Sequence, residues 1–123
     1  MRFNPVCWFE IYVQDMARAK AFYQGVLAVT LQQLNSPGIE MWAFDMDEQT
    51  VGAGGSLVYM PGMPSGGNSC MVYFSCQDCA IEESRVAGFG GQVVRPKMSI
   101  GEYGFISLAM DTEGNMIGFH SLQ

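Results

Sequence analysis

The stretch Trp8-Phe9-Glu10-Ile11-Tyr12-Val13-Gln14-Asp15-Met16-Ala17-Arg18-Ala19-Lys20-Ala21-Phe22-Tyr23 decides the fold. From Val6 to Val13 the residues are β-branched or aromatic apart from Cys7 and Glu10, which favours a strand. Asp15 is a good helix N-cap, because its carboxylate can accept the orphan N–H groups of a first turn. Beyond it, Ala19, Phe22, Tyr23, Val26 and Leu27 recur at i, i+3, i+4, i+7 and i+8, one apolar helical face, with Arg18 and Lys20 off it. A strand running straight into a capped helix is half of a β-α-β unit.

The arrangement returns at Met71–Asp78, again strand then cap, followed by a helix over Cys79–Ala87. Setting Asp15 on Asp78 also aligns Gln14 with Gln77, Gly25 with Gly88 and Gly55 with Gly118. A gapless offset across half a chain points to an internal duplication. The remaining strands are expected at Val29–Leu34, Ile39–Phe44, Gly54–Met60, Gln92–Pro96, Gly104–Met110 and Asn115–Leu122. Met1–Pro5 reads as a lead-in, Asp45–Thr50 as a hairpin connection, Lys97–Tyr103 as a long loop, and Pro61–Asn68 as the link between the copies.

Each copy therefore reads β-α-β-β-β. This pattern, with Asp15-x-x-Arg18-Ala19-x-x-Phe22-Tyr23 at its opening and Asp111-Thr-Glu-Gly114-Asn-Met-Ile-Gly118-Phe-His120 at its close, resembles the vicinal oxygen chelate superfamily of glyoxalase I, bleomycin-resistance proteins and extradiol dioxygenases. The resemblance implies an α+β fold: a single domain in which two repeats, about 1–62 and 64–123, form a curved mixed sheet around a cup. It also implies a homodimer.

At 123 residues, 49% of them apolar, the chain can build one core. No apolar run approaches the ~20 residues of a membrane helix. No signal-peptide pattern opens the sequence, so the cytoplasm is the expected location. A net charge of −6 argues against a nucleic-acid partner. Cys76-x-x-Cys79 is formally a redox motif, but the repeat sets its cysteines on Val13 and Met16, apolar positions, and no second pair completes a zinc site.

In metal-dependent members of the superfamily the ligands lie on the first and fourth strands of each copy. Carried onto this sequence, those positions hold Trp8, Gly55, Met71 and Gly118. None supplies the carboxylate or imidazole that a hard divalent ion needs, so no metal or other cofactor is expected. Two positions further on, Glu10 and His120 keep the same face by period two. A carboxylate and the only histidine are a candidate acid–base pair, although each could equally be a satisfied structural group. Trp8, Tyr12, Trp42 and Tyr73 are candidate pocket walls, with Gly55 and Gly118 leaving room for a ligand; aromatics at strand spacing are also ordinary core. The expected function is small-molecule binding without a metal. The alternatives are a glyoxalase-type lyase or isomerase, similar to lactoylglutathione lyase, acting through Glu10 and His120, and a thiol redox protein acting through Cys76 and Cys79.

Overall fold

The computed structural model describes residues 4–47 and 49–123. Residues 1–3 of the lead-in and Glu48 of the hairpin connection lie outside the described residues. The first half contains β1 (Trp8–Tyr12), α1 (Met16–Leu27), β2 (Gln32–Leu34), β3 (Glu40–Ala43) and β4 (Gly54–Tyr59). The second contains β5 (Val72–Ser75), α2 (Cys79–Val86), β6 (Gln92–Ser99), β7 (Phe105–Met110) and β8 (Met116–Ser121). Each half makes a four-stranded mixed sheet, ordered β1-β4-β3-β2 and β5-β8-β7-β6. The fold is α+β, as the sequence implies.

The two repeats contribute one four-stranded sheet each. Among the described residues no backbone ladder joins β1 to β5. The two edges meet through side chains, with the rings of Phe9 and Phe74 6.0 Å apart. Both rings lie on the helix-covered side, where Tyr23 of α1 packs within 5.9 Å of Phe74 and Phe44 lies 5.6 Å from Tyr23. The core formed there draws Ile11, Phe22, Val26 and Leu57 from the first half and Val86, Ile117 and Phe119 from the second.

Both helices start as the sequence dictates. Asp15 accepts from the Arg18 N–H and Asp78 from the Ala80 N–H. α1 ends on Ala28 in the left-handed conformation, φ 55°, where glycine is usual. Strand β6 overruns its expected end: it continues through Pro96 to Ser99, so Lys97–Ser99 is strand and not loop. β6 is an edge strand with register shifts between Val93 and Arg95 and between Arg95 and Met98. A proline, which cannot donate to a ladder, is tolerated at such a place.

The duplication carries a slip. Glu10 and Tyr73 are equivalent at the 63-residue offset, yet Glu10 pairs with Ser56 whereas Tyr73 pairs with Gly118. The fourth strands therefore correspond at an offset of 62. Ser56, not Gly55, is the structural counterpart of Gly118, and Val58, not Leu57, that of His120.

Candidate functional site

Period two along β1 turns Phe9 and Ile11 toward the helices and Trp8, Glu10 and Tyr12 away from them. On β5 it likewise turns Phe74 inward and Tyr73 and Ser75 outward. The site is built on this open face. Glu10 is exposed and held from both sides: the Trp8 indole Nε1 donates to Oε2 at 3.3 Å and the Tyr12 hydroxyl to Oε1 at 3.0 Å. The bond to the Glu10 carboxylate, helped by partial burial, pushes the Tyr12 phenol above its ordinary value. Two aromatic donors thus fix a carboxylate that keeps free lone pairs.

Beside it lies a cleft of about 230 Å³ lined by Glu10, Tyr12, Asn68, Cys70, Asn115 and Met116, among others. The link between the halves forms one wall, and it is pinned. Asn68 donates to the Met116 carbonyl at 2.7 Å and accepts from the Met116 N–H at 2.9 Å, while the Asn115 side chain reaches the Tyr12 carbonyl at 3.0 Å. Sequence reasoning missed Asn68, Cys70 and Asn115. For Asn68, its place as a polar residue in a link otherwise rich in glycine and proline was the available signal.

The other expected site residues scatter. Tyr73 lies on the open face with its ring over Gly118; a Cβ built on Gly118 would sit 2.4 Å from that ring. The space at Gly118 is therefore filled, not open. Gly55 and Trp42 are corrections. The register places both on the helix side with Phe9 and Leu57. Gly55 lies beneath the Phe9 ring, 2.5 Å from a built Cβ, and Trp42 lies beneath Lys20 of α1, whose Nζ is 3.1 Å from the ring centroid. For Gly55 the cause is the one-residue slip in β4, which turns the strand's side chains to the other face; Trp42 takes the helix side through its pairing with Leu57. His120 is on the open face of the second sheet, but its Nε2 meets the Tyr103 carbonyl at 2.7 Å and it does not line the Glu10 cleft. The expected Glu10–His120 pair is not assembled.

The structural positions for a metal hold Trp8, Ser56, Met71 and Gly118. Ser56 is fully buried and its hydroxyl has no partner. One neutral hydroxyl, an indole, a thioether and a hydrogen atom do not make a donor set for a divalent ion. No group of three or more His, Cys, Asp or Glu side chains clusters for a metal elsewhere among the described residues. The residues present do not fit the superfamily's metal.

Cys76 and Cys79 are free thiols, Cys79 fully buried. Burial first, then the nearby Glu82 carboxylate, pushes the Cys76 thiol up to about 12. A thiol so rarely ionised at neutral pH is a poor nucleophile.

A family model described as bleomycin resistance protein-like N-terminal matches residues 6–37. Among solved structures, glyoxalase I from Zea mays superposes with a TM-score of 0.74 at 18% identity, over 95% of this chain and 46% of that one. The chain thus spans about half the length of the maize protein. TnmS3, an antibiotic binding protein from Streptomyces sp. CB03234, superposes at 0.70 with 25% identity over 100% of this chain and 99% of that one. The chain shares the fold of these glyoxalase and antibiotic-binding proteins. A third structure, a glyoxalase-related enzyme from Fulvimarina pelagi, gives a TM-score of 0.68 at 16% identity over 97% of this chain and 88% of that one. No curated protein matches the sequence. No helix among the described residues is long and apolar enough to cross a membrane.

Proposed function

We propose that this protein binds a small organic molecule in the cleft beside Glu10, without a metal and without turnover, and that it does so as a homodimer. The observation that carries the reading is Glu10 itself. It is the one carboxylate in the cleft lining, and Trp8 and Tyr12 hold it where superfamily enzymes would place metal ligands nearby. An oriented carboxylate between two aromatic side chains suits a ligand with a cationic or N–H-bearing group attached to a flat apolar body. The net charge of −6 favours approach of such a ligand. The likeness to the antibiotic binding protein TnmS3 over the full length of both chains supports the same class. A glyoxalase-type reaction through Glu10 and His120 has no observation in its favour, since the His120 ring is committed to Tyr103.

The test uses a Trp42→Phe background, which leaves Trp8 as the only indole. Bleomycin, as the antibiotic probe, is expected to quench Trp8 fluorescence saturably, and Glu10→Gln to weaken that binding about tenfold with little change in stability, as loss of a charge-assisted hydrogen bond implies. Isomerisation of the methylglyoxal–glutathione hemithioacetal, stimulated by added Ni²⁺ or Zn²⁺, would overturn the reading.

A further inference from the structure

Behind the seam between the two sheets lies a second cavity, on the opposite side from Glu10. It measures about 220 Å³, and its walls include Phe9, Phe44 and Phe74 with Leu27 and Val29. Glu82 of α2 joins this lining beside Asp45 and Ser75, and its Oε1 is buried with no hydrogen-bond partner. The Cys76 thiol faces the same carboxylate. The cavity is not sealed. A neighbouring hollow of about 270 Å³ shares Phe9, Asp45, Ala53, Gly54, Phe74 and Ser75 with it and reaches Tyr73 and Asp47 near the open face. Path and chamber together carry Asp45, Asp47 and Glu82, and among the described residues neither lining contains a lysine or arginine.

A carboxylate oxygen removed from water without a partner is costly, and native proteins rarely leave one so. Here it sits in an aromatic chamber reached by a path lined with acids. We propose that this chamber is a second binding site, taking a small hydrophobic amine whose carbon frame lies among Phe9, Phe44 and Phe74 and whose ammonium group pairs with Glu82. Size sets the class. An apolar cavity of about 150 Å³ holds benzene, so this one has room for an aromatic ring with a short amine chain. Charge sets the polarity, since an anion would meet three carboxylates.

Three probes of one shape separate the contributions: 2-phenylethylammonium, neutral 2-phenylethanol and 3-phenylpropionate. Binding is followed by NMR at the methyl groups of Leu27 and Val29, which line only the chamber, and at the Trp8 indole, which reports the open face. The amine is expected to shift the Leu27 and Val29 methyls saturably, with a Kd on the order of 1 mM for so small a fragment. The alcohol should bind about tenfold more weakly and the acid not measurably. Glu82→Gln should abolish the preference for amine over alcohol while changing stability little, because the Glu82 side chain is only partly buried. Equal binding of amine and alcohol to the unmodified protein would overturn the site, and that comparison needs no variant. So would amine-induced shifts confined to Trp8, or no saturable shift at either methyl. The bleomycin test is read at Trp8 alone, so the two proposals fail separately.

Discussion

At the residue scale, the two glycines that align in the sequence have different structural duties. Gly55 lies under Phe9, which is locked into the aromatic core with Phe44 and Phe74. Gly118 lies under Tyr73, which is 47% exposed and free to swing away. A methyl group added at Gly55 must push a packed ring, and overpacking of this kind costs about 1–3 kcal/mol. Gly118→Ala only has to displace an exposed one. Urea unfolding should therefore show Gly55→Ala destabilised by about 1–3 kcal/mol and Gly118→Ala by well under half of that; equal losses would mean that the exposed ring is held as firmly as the buried one. This difference was not legible in the sequence. The offset of 63 is right for β1, α1 and the helix caps, but the slip in β4 is set by strand pairing, which composition and period do not encode. A single residue of slip carried Gly55 to the wrong face, whereas Trp42 faces the helices through its pairing with Leu57. Trp8, Glu10 and Tyr12 were legible because they share one strand with its cap, and alternation alone fixes them.

At the element scale, the β7–β8 hairpin clamps the start of α1. Glu113 has no exposed side-chain surface. It accepts from the Gln14 and Asp15 N–H groups at 2.8 and 2.9 Å and pairs with the half-exposed Arg18 guanidinium at 2.7 Å. Burial pushes its carboxyl up, but Arg18 and the two N–H groups outweigh this and hold it down at about 2, from 4.5. A depressed carboxylate contributes stability that is complete above the unfolded value and is lost as pH falls through the folded one. The clamp should therefore weaken between about pH 4.5 and 2. Its full contribution is on the order of 3 kcal/mol, an upper bound because Arg18 stays solvated. Chemical denaturation at a series of pH values should show the excess stability of the wild type over Glu113→Gln shrinking through that window; a pH-independent difference would place the stabilising contacts elsewhere. The sequence marked this hairpin only through its Asp-x-x-Gly turn. The partner of Glu113 lies 95 residues away at Arg18, a separation that no local pattern reports. The run of β6 through Pro96 was illegible for a similar reason: proline argues against a strand until the strand is known to be an edge.

At the scale of the whole molecule, the halves look like independent copies but share what holds them together. The buried cluster mixes residues from both, and Tyr23 of α1 donates to Asp111 of the β7–β8 turn at 2.6 Å in a fully buried bond. Arg85 of α2 reaches the Val26 carbonyl at the end of α1 at 3.0 Å, and Asn115 reaches the Tyr12 carbonyl. Divided at the link, residues 1–62 would expose Phe9, Tyr23 and Phe44 together. A chain of about 60 residues buries too small a share of its surface to tolerate that. The chain should thus unfold as one unit. Both tryptophans, Trp8 and Trp42, belong to the first half, so fluorescence follows that half alone, while far-UV circular dichroism follows strands and helices of both. The two signals should trace one coincident transition in urea, as two-state unfolding requires. Residues 1–62 expressed alone should show no cooperative transition. A fluorescence midpoint separated from the dichroism midpoint, or a folded first half in isolation, would mean that the duplication survives as two domains and that the buried Tyr23–Asp111 bond couples them only weakly.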